Sequence, residues 1–260
     1  MANRRIPRRG VKGKQLRTTG TQGSIESETL QGPHDHVDAY GLKMANHTEL
    51  QLLSDVDASY IYTVDTFDDT NNVWQDALGN ANSTSVSSNP TIQNLSGQGS
   101  RNASDITKAV YFDTGDKMRW SHLSVGNSND YTLFHVTRYA DSGSQGRIFD
   151  GAGHNWLSGF WNGRSGVAYH NGWLNSTNRW NRNWVLSVDR KNWYRSYSGT
   201  SSYTNTGGAS GNAYLTVMWG NSSGETSNAY IHSIYYYNSV LSDAQVNSAV
   251  TVLKGKIGMA

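Results

Sequence analysis

The stretch WLSGFWNGRSGVAYHNGW, residues 156–173, decides how the chain folds. It holds two strand-length runs, 156–161 and 166–170, each closed by an Asn-Gly pair, Asn162-Gly163 and Asn171-Gly172. Asn-Gly readily takes the two positive φ angles of a tight hairpin turn, so the pattern predicts antiparallel strands joined by short loops. The pattern continues outward in both directions. Residues 108–113 and 131–138 read as strands before it, and 184–189, 193–198, 214–219 and 230–238 as strands after it. Asp150-Gly151 and Gly207-Gly208 read as further turns. Alternation places Thr132, Phe134 and Val136 on one face of their strand. In the last strand it sets Ile231, Ser233, Tyr235 and Tyr237 opposite Tyr230, His232, Ile234 and Tyr236.

Composition points the same way. The 27 Gly suit many tight turns, and an 11% aromatic share suits pleated surfaces. Helix-favouring Glu is confined to Glu26, Glu28, Glu49 and Glu225. One helix is expected near the C-terminus: Ser242 and Gln245 form a capping box, Val246, Ala249, Val250 and Leu253 share a face, and Gly255 and Gly258 end it. The expectation is an all-β, two-sheet antiparallel jelly-roll sandwich over residues 55–260, with that helix packed on it and an extended basic N-terminal arm.

The net charge of +2 conceals an asymmetry. Arg4, Arg5, Arg8, Arg9, Lys12, Lys14 and Arg17 give the first 25 residues a charge of +7, leaving 15 basic against 20 acidic side chains elsewhere. Residues 1–23 carry too little apolar surface to fold alone and are expected to order only against a partner. Residues 24–54 form a transitional segment. No aromatic lies within residues 1–23, which removes base stacking on single-stranded nucleic acid and leaves phosphate neutralisation. There is no cysteine, so disulfides and thiolate chemistry are excluded. The chain has neither the apolar core of a secretion signal nor a membrane-spanning stretch, so no membrane partner is expected.

Several segments resemble the laminin G-like branch of the concanavalin A-like lectin/glucanase superfamily. They are Asp57-Ala58-Ser59, residues 73–80 (VWQDALGN), 109–113 (AVYFD), 131–134 (YTLF) and 147–151 (RIFDG). Residues 234–238, Leu241-Ser242-Asp243-Ala244 and the helix ending in Lys256-Ile257-Gly258 complete the resemblance. It covers roughly residues 55–258 and implies a jelly roll that binds ligands at loop ends or on its concave face. Fold likeness does not by itself assign function. Domains of that branch often carry calcium on loop carboxylates; Asp68, Asp69, Asp113 and Asp116 are available here, but no spacing singles them out and no cofactor is assigned. Residues 33–38 (PHDHVD) offer two imidazoles without a third ligand, so no metal site is assigned.

Retaining glucanases need two carboxylates about 5–5.5 Å apart. Beyond residue 55 the only Glu is Glu225, in a Ser/Gly-rich loop, and neither a Gly-x-Ser-x-Gly elbow nor a phosphate loop occurs. A non-enzymatic protein is therefore expected. Trp156, Trp161, Trp173, Trp180 and Trp184 cluster among amides, a combination suited to stacking on sugar rings. Trp156, Trp161 and Trp184 are expected in the core. Trp173 and Trp180, with Asn171, Asn175 and Arg179, are the candidate carbohydrate-binding residues. A cysteine-free sandwich behind a basic arm suggests a phage virion protein. It would be a capsid decoration or fibre-type subunit, homo-oligomeric, anchored by the arm to a capsid protein and displaying a lectin-like domain. The alternatives are a shell-forming capsid protein whose arm binds the genome, and a cellular carbohydrate-binding module.

Overall fold

The structure is a computed structural model, and it describes residues 58–96, 101–180, 182–220 and 224–260. The basic arm, the transitional segment and residues 33–38 lie outside the described residues. The first large sheet contains β1 (Tyr60–Thr63), β5 (Thr91–Asn94), β6 (Lys108–Phe112), β8 (Thr132–Tyr139), β13 (Val185–Arg190), β14 (Trp193–Ser198), β15 (Ser201–Thr206) and β17 (Ala229–Tyr237). Its order is β15-β14-β13-β8-β17-β6-β5, with β1 pairing the C-terminal half of β17. The second contains β4 (Ser85–Ser87), β7 (Lys117–Val125), β9 (Phe149–Ala152), β10 (Trp156–Trp161), β11 (Arg164–His170), β12 (Trp173–Asn175) and β16 (Ala213–Val217), ordered β12-β11-β10-β9-β16-β7-β4. A small ribbon pairs β2 (Phe67–Asp68) with β3 (Val73–Trp74), and one helix, α1 (Asp243–Lys256), follows β17. Every strand pairing is antiparallel, as expected for a sandwich.

Two apolar layers explain the architecture. Between the sheets lie Trp74, Trp120, Leu133, Phe149, Trp156 and Phe160, all within 1% of full burial. On the far side of the first sheet, Phe134, Val136, Leu186 and Tyr235 pack under Val246, Ala249, Val250 and Leu253 of α1. The expected capping box starts that helix: Ser242 Oγ accepts from Gln245 N, and Gln245 reaches back to Ser242 N at 2.9 Å. Because α1 seals the outer face, β8 is buried along its whole length. Its apolar residues are therefore not confined to one side. Leu133 faces the sandwich interior, and Phe134 and Val136 face the helix.

Two readings of the sequence are corrected. The strict alternation of the last strand breaks at a bulge between Ile231 and Ser233. Ile231 thus joins Ile234 and Tyr236 in the interior, while Tyr230, Tyr235 and Tyr237 face the helix layer. Asp150-Gly151 is no turn. Both residues sit inside β9, where a side chain at Gly151 would stand 2.6 Å from the Ala213 Cβ on neighbouring β16. The glycine serves close strand approach there rather than chain reversal. Asn162 and Gly163, by contrast, do form the β10–β11 turn, with φ of 48° and 72°.

Candidate functional site

At one end of the sandwich three segments converge on a cleft of about 680 Å³, within the range of small-molecule sites. One wall is the β8–β9 connection, with Ser144, Gln145 and Gly146. A second is the end of β10 and its turn, with Trp161 and Asn162. The third is the segment before β17, with Glu225 and Thr226. Backbone hydrogen bonds fasten the walls: Gly146 N to Thr226 O at 3.0 Å, Arg147 N to Glu225 O at 2.7 Å, and Gly163 N to Gln145 O at 2.8 Å. Gly146 has to be glycine, since a Cβ there would overlap the Glu225 carbonyl. From within the fold the Tyr139 hydroxyl donates to Gly146 O at 2.6 Å. The cleft is thus shaped by the backbone before any ligand arrives.

Two side chains give it chemical character. Trp161 is half-buried, and its Nε1 donates to Glu225 Oε1 at 3.1 Å. Arg147, only 6% exposed, donates through Nε to Glu225 Oε2 at 2.5 Å and through Nη1 to Asn155 Oδ1 at 2.7 Å. The carboxylate is therefore oriented by two donors while its side chain stays 40% exposed. Behind it, Asp150 accepts from the Thr216 hydroxyl and, at 2.7 Å, from Gly220 N, which fixes the chain as it leaves β16. Burial pushes the Asp150 carboxyl up to about 6, against the opposing pull of those hydrogen bonds and of Arg147.

Beside the cleft an aromatic strip continues across the second sheet. The Trp161 and Trp173 rings are 5.0 Å apart, and Trp173 meets Tyr169 edge-on at 5.1 Å. Trp173 is 42% exposed. The other proposed sugar-binding residues have different surroundings. Trp180 packs against the core and lies over Gly166, with its ring 5.5 Å from Tyr203. Asn175 is buried, donating to Gly166 O at 2.6 Å and accepting from Thr177, so its amide is spent on the local turn. Asn171 occupies a positive-φ turn position, where its amide donates to Ser210 O, and Arg179 is exposed. None of Trp173, Trp180, Asn171, Asn175 and Arg179 lines the cleft itself.

Sequence reading missed Trp161, Glu225, Arg147 and Gln145 as a group. Trp161, expected in the core, lines the cleft instead, because the alternation along β10 that turns Trp156 and Phe160 inward puts Trp161 on the opposite, outer face. The partners are 78 residues apart (Arg147–Glu225) and 64 apart (Trp161–Glu225), so no local motif links them. The carboxylates considered for calcium cap turns: Asp68 accepts from Thr70 N and Asn71 N, and Asp116 from Asp113 N and Asn89 N. Among the described residues, no group of three or more His, Asp or Glu is placed to hold a metal ion. A further polar chain links Tyr131, Asp189 and His170, with the Tyr131 hydroxyl donating to Asp189 at 2.5 Å and His170 Nε2 3.0 Å from the other oxygen. All three are buried between the sheets and join β11 to β13.

No protein-family model matches the chain, and no curated protein matches it in sequence. Among solved structures it is similar to a Trypanosoma rangeli sialidase in complex with 2,3-difluorosialic acid, at 13% identity and a TM-score of 0.45, over 78% of this chain and 34% of that one. It is also similar to domain 4 of AbnA, a GH43 extracellular arabinanase from Geobacillus stearothermophilus, in complex with arabinotriose. That match has 17% identity and a TM-score of 0.43, over 73% of this chain and 96% of the domain. The chain spans about a third of the length of the sialidases it matches. The expectation of a non-enzymatic protein is corrected by these neighbours, which are sialidases and a domain of an arabinanase. At such identity and with TM-scores below 0.5, the likeness assigns no reaction to this chain.

Proposed function

We propose that the sandwich domain binds saccharides in the Trp161–Glu225 cleft, and that the chain is a virion structural protein of the capsid-decoration or fibre type, anchored by its basic arm. The cleft carries the first part. It pairs an aromatic ring with a pre-oriented carboxylate and the Gln145 and Asn162 amides, on walls fixed by backbone hydrogen bonds. Aromatic faces cover the C–H face of a sugar ring while directed polar groups read its hydroxyls. The charge asymmetry of the sequence supports the second part, together with the resemblance to laminin G-like jelly rolls. Seven cations without an acidic neighbour suit attachment to an acidic surface of a particle.

The test of the saccharide reading is binding of the full chain to a glycan array, repeated with Trp161→Ala. Retention of glycans by the parent and their loss from the variant is the expected result. No retention by either, or equal retention by both, rejects the cleft. For the anchor, particles made with residues 1–23 deleted should lack the protein while circular dichroism of the free protein is unchanged. Normal copy number with loss of genome alone would favour the genome-binding shell protein, and binding of glycans without any particle would favour a cellular carbohydrate-binding module.

A further inference from the structure

We infer that the cleft selects uncharged, hydroxyl-bearing saccharides over carboxylated or sulfated ones, with Glu225 receiving the hydroxyls. This rests on the saccharide reading above. Among the described residues lining the cleft, Glu225 is the only charged side chain. An ionised carboxylate accepts hydrogen bonds at about four lone-pair sites and donates none. Arg147 Nε and Trp161 Nε1 each occupy one site, one on each oxygen, and the side chain remains 40% exposed. The sites left over match two donors on adjacent atoms, which is what neighbouring sugar hydroxyls supply. A sugar carboxylate or sulfate brings acceptors and a like charge instead.

The surrounding charges do not reverse this preference. Arg147 is buried behind Glu225 and engaged by Asn155 Oδ1 and Trp156 O. Arg164 donates to Ser176 O at 2.5 Å and holds its guanidinium over the Trp161 ring. Outside the lining itself, Asp141 adds a negative charge next to it, accepting from the lining residue Gly143 at its N–H at 2.7 Å and from Asn228 Nδ2 at 2.9 Å. Gln145 Nε2 donates to the Asp141 backbone carbonyl at 2.8 Å, so that donor is already engaged. An anionic ligand therefore meets acceptors and like charge where it needs free donors.

The experiment uses the full chain and paired glycans that differ only in a terminal sialic acid, uronic acid or sulfate. The uncharged member of each pair should bind at least about tenfold more tightly, and raising the salt concentration should narrow the gap by screening the like charge. Glu225→Gln should weaken binding of the uncharged glycans about tenfold or more, the scale of one charge-assisted hydrogen bond, and shrink the discrimination against the charged ones. Equal or tighter binding of the charged members, still abolished by Trp161→Ala, overturns this inference and leaves the saccharide reading standing. Absence of binding to either member overturns both. The salt dependence of the unmodified protein is read without any variant, so a misfolded Glu225→Gln does not shield the inference.

Discussion

The two outer faces of the sandwich are built from the same residue types and differ in what covers them. On the first sheet Phe134, Val136, Tyr235 and Tyr237 lie under α1 and are fully buried. On the second, Trp173 is 42% exposed, Tyr169 and Trp161 are half-buried, and the strip runs into the cleft at Glu225. Aromatic content therefore does not separate core from surface in this chain. What separates them is whether a later segment, here the C-terminal helix, returns to seal the face. The sealed face supplies stability, and the open face is free to meet a ligand.

The largest effect should come from the sealed face. Leu253→Ala removes a buried side chain from the α1 layer and should cost about 2–5 kcal/mol of unfolding free energy by urea titration. Glycan binding by the protein that remains folded should be unchanged. Parallel loss of affinity in samples shown to be folded would break the distinction between the faces. On the open side Trp161→Ala should do the reverse, lowering glycan affinity by about 2 kcal/mol while changing stability by less, as measured by calorimetric titration.

The interior makes a pH-dependent prediction. Burial lowers His135 from its ordinary value to about 3, so the ring stays neutral in the folded protein, held between Thr137 Oγ1 and Ser158 Oγ. The unfolded chain takes up a proton near pH 6.5. The contribution is therefore complete above that pH and is lost as pH falls toward 3, by about 1.4 kcal/mol per unit. Asp150, with its raised value, works in the opposite sense between about 6 and its ordinary value of 3.8. Substituting His135→Gln isolates the first term: the stability advantage of the parent over the variant should shrink as pH drops from 6.5 to 4. A constant difference across that range would contradict the neutral buried ring. The smallest effect is expected from Trp173→Ala, about 1 kcal/mol or less in glycan affinity, since that ring flanks the cleft without lining it.

Much of the fold was legible in the sequence, because hairpin turns and the capping box are local signals. Asn162-Gly163 and Ser242 with Gln245 announce a turn and a helix start that need no partner to be recognised. Strands that owe their place to neighbours were harder to read. β7 (Lys117–Val125) is irregular because its pairing with β16 shifts register, and β15 (Ser201–Thr206) is a polar edge strand with no buried face to pattern it. The site was least legible. Asn175 and Trp180 looked available because their neighbours in sequence are polar, yet Asn175 turns inward to bond the Gly166 carbonyl and Trp180 packs where a side chain at Gly166 would stand. Glu225 was set aside for lacking a second glutamate, whereas its partners are an indole from the end of β10 and a guanidinium from the β8–β9 connection.

The most direct test of the two-face account follows the nine indole N–H signals by ¹⁵N–¹H NMR, assigned by single Trp→Phe variants, as the best-binding uncharged glycan is titrated into the full chain. The account predicts shifts for Trp161, whose Nε1 touches Glu225, and smaller ones for Trp173, with Trp74, Trp120, Trp156 and Trp184 unmoved between or beneath the sheets. Saturable binding that leaves the Trp161 indole unshifted, or that moves Trp180 or Trp193 in its place, would contradict it.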